Sequence, residues 1–475
     1  MKTIYQISLL YAILLTAGCN DFLHVQNFGR NDIPKHFSDM DGVRSALTGC
    51  YRVFYDFYDS EYLLYPDVAA DMVNLTATAR RMMDQFNYTS DPDQDESAVG
   101  RIWTLGLSSL ANTNNLLKYA PDLRGYSSTQ DAEIDRIIAQ GLYLRAAVHL
   151  FMCNCYGQPY NYTGSPHWGV PNLTSLPEID QPVLRDNVAG IYKRVTDDLT
   201  EALRLFGSSD RPNNVYYISG LACKALLARV YLYMEDWEAA RDLAGEVIAT
   251  PSMGLTARGD YTEMFTGAAP GTEAIFRVNG IQIGSRTVRF FYLSGNGNAV
   301  TSNKVLNTFY HPSDIRQTLI NANAIAKYDL NEEQQKIVDD LARAYAPFVS
   351  RLSEMYLIRA EAQCQLNRPD LAIPDLQAII GRAVGSLASE VNLGTPTKEQ
   401  VLDMVERERI LELGYEGHRL FDLLRWKRDV VRDAATTSTY PSLTIPYPND
   451  RFILPIPQRE IDANPSIQLN PTVNH

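Results

Sequence analysis

The densest set of ionisable side chains falls between residues 405 and 426, where Glu406, Glu408, Glu412 and Glu416 alternate with Arg407, Arg409, Arg419 and Arg425. Two carboxylates facing one cleft would suit glycoside hydrolysis, one as acid and the other as base or nucleophile. Glu412 and Glu416 are four apart and share a helix face. The same stretch sets Glu416 three before Arg419 and Asp422 three before Arg425, the spacing of helical ion pairs. Ion pairing explains the cluster without any cleft, so the chain is expected not to be an enzyme, with a surface glycoside hydrolase as the rival reading. No nucleophile elbow, P-loop or zinc spacing occurs. His149 lies in an apolar run, as a satisfied core residue would. Asp91, Asp93, Asp95 and Glu96 alternate, but without the glycine and later glutamate of a calcium loop, and read as a solvated acidic loop. No metal or cofactor is expected.

Non-covalent binding is the better use of these side chains. A sugar ring has an apolar C–H face and an equator of hydroxyls; a flat aromatic covers the first, and Asn, Asp or Arg meets the second. The chain has 28 Tyr. Candidate platforms are Tyr58, Tyr62 and Tyr88 in the first half and Phe291 and Tyr292 further on; Asp71 and Asn296 are candidate hydrogen-bonding partners. Trp103 has the helical spacing of a core residue. Net charge is −13 with no basic run, which argues against a nucleic-acid partner.

These residues need elements to hold them. Leu226, Leu227, Val230, Tyr231 and Met234 draw one apolar helical stripe, and Trp237, Ala240, Leu243, Ala244, Val247 and Ile248 draw another up to Pro251. Ser353–Gly381 repeats the plan: Ala360 and Ala372 are twelve apart, as are Ala228 and Ala240, and Leu376 and Ile379 stand where Ala244 and Val247 stand. That is the pattern of tetratricopeptide helix pairs, which bury their stripes only by stacking. Further helices are expected from Met40 (capped by Asp39) to about Tyr55, and over Ile102–Tyr119, Ala132–Tyr156, Asn187–Phe206 and Val401–Lys427. Residues 252–318 break the rhythm with eight glycines and read as a loop-rich insertion with a strand at Glu273–Val278; a second strand is expected at Phe452–Ile456.

The beginning of the chain is not part of this fold. Lys2 precedes a short apolar run, Ile7–Leu15, too short to span a bilayer, and Leu15-Thr16-Ala17-Gly18-Cys19 resembles a bacterial lipobox. Residues 1–18 are therefore expected to be removed as a signal peptide, with acylation of Cys19 and residues 19–38 as anchor and tether. The remaining cysteines, Cys50, Cys153, Cys155, Cys223 and Cys364, are odd in number and read as buried thiols.

Two C-terminal stretches are specific: Val405–Trp426, with Glu412-Leu413-Gly414-Tyr415-Glu416-Gly417-His418-Arg419, and Ile453-Leu454-Pro455-Ile456-Pro457, followed by Asn464-Pro465. With Gly141-Leu142-Tyr143-Leu144-Arg145-Ala146 and Tyr356-Leu357-Ile358-Arg359-Ala360-Glu361, they resemble the SusD/RagB family of Bacteroidetes outer-membrane lipoproteins. The resemblance implies an all-α fold of tetratricopeptide-like helix pairs in a SusD-like scaffold over residues 39–475, with an irregular, loop-rich ligand-binding half. It also implies a cell-surface lipoprotein in the outer membrane. Such a protein would bind oligosaccharides (in some members peptides) and pass them to a SusC-like TonB-dependent transporter.

Overall fold

A computed structural model describes residues 33–178, 181–207, 214–266, 271–280, 287–292, 298–322, 324–328, 346–385 and 396–471. The fold is mostly helical. Its main helices are α1 (Met40–Tyr58), α2 (Glu61–Val68), α3 (Ala98–Tyr119), α4 (Ser128–Tyr156), α5 (Val188–Phe206), α6 (Gly220–Met234), α7 (Trp237–Ile248), α8 (Leu352–Gln365), α9 (Pro369–Val384), α10 (Lys398–Leu413) and α11 (Arg419–Arg425). Polar side chains start most of them. Asp39 accepts from the Gly42 amide at 2.8 Å, Asn187 from Gly190 at 2.7 Å, and Thr397 and Gln400 form a reciprocal cap on α10.

From α3 to α9 each helix packs on its successor, giving one continuous solenoid; α1 covers α3 and α4, and α10 closes the far end against α8 and α9. Both expected helix pairs are present, α6–α7 and α8–α9. Ala228, Ala240, Ala360 and Ala372 are all fully buried at their crossings. Gly141 sits where α4 meets α3: a Cβ there would lie 2.9 Å from Leu117 Cδ2, so a larger residue would have to displace the Leu117 side chain. All five described cysteines are buried free thiols.

Between α7 and α8 the described residues form only short helices and strands, and this stretch runs past 318 to the start of α8. It carries β2 (Ala274–Arg277), within the strand expected from sequence, and β3 (Ala299–Thr301). Each pairs antiparallel with a distant strand: β1 (Val73–Leu75) with β3, and β2 with β4 (Phe348–Arg351). Two expectations fail. Val401–Lys427 is not one helix, because Tyr415 and Gly417 take positive φ (66° and 79°) and break it into α10 and α11. Phe452–Ile456 forms no strand; instead the Leu454 amide donates 2.8 Å to the Cys155 carbonyl, satisfying the end of α4 rather than a ladder. No helix among the described residues is long and apolar enough to cross a membrane.

Candidate ligand-binding site

The charged cluster is ion-paired, and it is buried. Arg351 donates to Glu412 at 2.6 Å, to Glu416 at 2.8 Å and to Glu273 at 2.9 Å. Arg382 reaches Glu412 at 2.6 Å and Glu273 at 3.1 Å; Arg316 reaches Glu408 at 2.7 Å and Asp314 at 2.6 Å; Lys327 reaches Glu416 at 2.7 Å. Burial alone would raise the Glu412 carboxyl, but Arg382, Arg351 and Arg316 outweigh it and hold it well below the usual carboxylate range. Glu412 is thus an ionised, guanidinium-bound carboxylate without a cleft, and Glu416 is buried beside it. Of the two short-range pairs expected, Asp422–Arg425 forms at 3.0 Å. Glu416–Arg419 does not: Arg419 turns to Asp71, 2.7 Å from each carboxylate oxygen, and to Glu406.

The candidate platforms are corrected by their burial. Tyr58, Tyr62, Tyr88, Phe291, Tyr292 and Asp71 are each no more than 5% exposed. Tyr62 stacks between Phe57 and Phe151 with centroids 5.2 and 4.8 Å away. Tyr58 donates its hydroxyl to the Phe348 carbonyl at 2.6 Å, and Tyr88 donates to the Ala69 carbonyl. Tyr292 stacks on Tyr328 at 5.9 Å. Asp71 is spent on Arg419. Tyr58 and Tyr88 satisfy their hydroxyls on backbone carbonyls, so ring and polar tip are both consumed inside the fold, whereas Tyr62, Phe291 and Tyr292 are covered by other rings and the Tyr292 hydroxyl has no hydrogen-bond partner among the described residues. Asn296 and Cys19 lie outside the described residues. His149 is a core residue, as expected: its Nε2 accepts from the Leu173 amide at 3.1 Å, which leaves Nδ1 to donate to the Arg145 carbonyl at 3.0 Å. Burial, reinforced by Arg145, pushes its pKa down to about 3. Trp103 is core too, with its indole N–H on Glu460 at 3.0 Å.

The β1–β3 pairing brings the loop after Leu75 against the insertion: the Thr76 amide donates to the Asn298 carbonyl at 3.0 Å and the Arg80 amide to Asn298 Oδ1 at 3.2 Å. A third segment joins them through the Thr437 hydroxyl, 2.8 Å from the Leu75 carbonyl, and the Thr439 amide, 2.8 Å from Asn87 Oδ1. The result is a surface of Thr78, Arg80, Asn298 and Thr437. The short helix Thr287–Tyr292 packs beside β3, with its first amides on Asp59. It turns Val288, Phe291 and Tyr292 inward and leaves Phe290 51% exposed. Sequence reasoning passed over Phe290 among three adjacent aromatics; helical phase is the signal that separates it, since neighbouring side chains point about 100° apart.

Comparison with known proteins covers both ends of the chain. The family model described as "SusD family" matches residues 324–472, and the one described as "Starch-binding associating with outer membrane" matches residues 21–232. SusD-like protein P25 of Formosa agariphila is 22% identical, with 98% of each chain aligned. A crystal structure of a SusD superfamily protein from Bacteroides thetaiotaomicron shares 26% identity at a TM-score of 0.79, covering 91% of this chain and 99% of that one. Surface glycan-binding protein A from the same species has the same fold, with a TM-score of 0.73, 19% identity and 92% and 100% coverage.

Proposed function

The chain belongs to the SusD/RagB family, and from that premise we propose that it is a cell-surface lipoprotein that binds oligosaccharides without altering them and delivers them to a SusC-like TonB-dependent outer-membrane transporter. In this reading residues 1–18 are cleaved, Cys19 carries the lipid, and the segment after it tethers a SusD-like domain whose packing begins earlier than expected, with Phe37 buried and stacked on Tyr119 at 5.1 Å. The observation that carries it is the match of residues 21–232 to a starch-binding, outer-membrane-associated family. That half supplies the loop after Leu75, which docks on Asn298 of the insertion. The glycan would lie on this surface, with Phe290 as platform and Arg80, Thr78 and Asn298 meeting hydroxyls. The Arg80 guanidinium has no partner among the described residues.

Binding of the chain from Asn20 onward to a soluble glycan library, scored beside a peptide library, tests the ligand class. Retention of glycans with their chain length unchanged after incubation is expected. Binding of peptides alone would make it a peptide-capturing member, and glycan cleavage lost in Glu412→Gln would overturn the non-enzyme reading. Palmitate labelling at Cys19 tests the anchor.

A further inference from the structure

The turn between α6 and α7, the end of α8, the middle of α10 and the residues just after α11 enclose a cavity of about 240 Å3 away from the loop surface. Two of its walls are tryptophans, Trp237 and Trp426. Trp426 is held rigidly: its indole N–H donates to Glu361 at 2.7 Å, the same carboxylate grips Arg425 at 2.5 and 2.7 Å, and the Arg425 guanidinium lies 4.6 Å from the ring centroid. Trp237, at the first position of α7, is half-buried. The indole N–H of Trp237, the side-chain amide of Gln365 and the ammonium of Lys427 have no partner among the described residues. Glu406, fixed by Arg419 and Arg428, adds a carboxylate wall.

A held tryptophan, a second one beside it in the wall, and uncommitted donors and acceptors suit a ligand that has an apolar face and a rim of hydroxyls. The volume falls below the range of about 300 Å3 upward that houses a drug-sized molecule, so one ring fits and a chain does not. We propose that this cavity is a second carbohydrate subsite, which holds a single hexopyranose unit against Trp237 and Trp426, with Gln365 and Lys427 meeting its hydroxyls. This rests on the glycan-binding reading and adds a site distinct from the Phe290 surface. A glycan long enough to reach both would be held at two points, raising its apparent affinity.

Calorimetric titration of the chain from Asn20 onward with maltoheptaose, laminarihexaose and cellohexaose separates the two sites. Expected is glycan binding that persists in Phe290→Ala and weakens by about tenfold in Trp237→Ala and in Gln365→Leu, with Trp237→Phe intermediate. Gln365→Leu carries the test if Trp237→Ala fails to fold, which its thermal melt would reveal. Binding abolished by Phe290→Ala and unchanged in Gln365→Leu and Trp237→Phe would overturn the subsite and leave the proposed function standing. Absence of any binding by the wild-type chain to all three glycans would overturn the subsite as well, and a peptide-library hit beside it would displace the glycan reading itself.

Discussion

In the pair α6–α7, burial is achieved by Leu226, Ala228, Val230, Ala240, Ala244 and Val247. Where α10 meets the insertion and β4, the buried side chains are Glu273, Asp314, Arg316, Lys327, Arg351, Arg382, Glu408 and Glu412. The first region is held by a non-directional effect worth about 1.5–3 kcal/mol for each large side chain. It tolerates repacking as long as volume is kept. The second is held by directed pairs, each of which is costly to desolvate and stable only with every partner in place. The contrast assigns the recurring sequence signatures to a role. Glu412, Glu416, Arg419 and Arg425, together with Arg145, which binds both oxygens of Asp198 at 2.8 Å, lock distant elements together.

The largest effect expected is from Arg351→Met. It strips a partner from three buried carboxylates, and urea denaturation should show a loss of about 3–5 kcal/mol. A loss of under about 1 kcal/mol would put the junction in the same class as an exposed pair and remove the contrast. Ala228→Leu, which overfills the helix crossing in the stack, should cost about 1–3 kcal/mol by the same measurement. Asp71→Asn weakens the hold on Arg419 and should cost roughly 1.5–3 kcal/mol while leaving glycan binding unchanged; a selective loss of binding would restore Asp71 to the ligand site.

A pH experiment probes a buried group that has no ion pair. Asp67 accepts from the Gly417 and Arg419 amides at 2.9 and 3.4 Å, and burial pushes its pKa up to about 7. The unfolded value is about 3.9. Between the two, the folded chain binds a proton that the unfolded chain releases, so this group contributes stability that is full below about pH 4 and is lost as pH rises through about 7. The stability of wild type relative to Asp67→Asn should therefore improve from about pH 8 to about pH 5. A difference independent of pH would show that Asp67 titrates normally. The smallest stability change is expected from Phe290→Ala, within about 0.5 kcal/mol, together with a loss of glycan affinity of about tenfold.

The solenoid was legible because α-helical burial repeats every three to four residues; Ala228 and Ala240 against Ala360 and Ala372 reveal two copies by spacing alone. The junction was legible only as a charge cluster. Its pairs span 61 residues for Arg351–Glu412, 92 for Arg316–Glu408 and 109 for Glu273–Arg382, and Glu416 abandons the neighbour three residues away for Arg351 and Lys327. The candidate platforms failed for the same reason. Nothing local distinguishes Tyr62, clamped between Phe57 and Phe151, from a tyrosine facing water.

By itself, then, the chain's order of residues determined the helical repeats, the cap at Asp39, the burial of the five described cysteines and the family. These depend on local period and on short motifs, which adjacent residues carry whatever the rest of the chain does. Which charges pair, which aromatics are swallowed and which of the adjacent rings Phe290, Phe291 and Tyr292 is left outside was decided by tertiary contacts. A side chain's exposure is a property of what packs over it, and here much of that comes from strands and helices tens to hundreds of residues away.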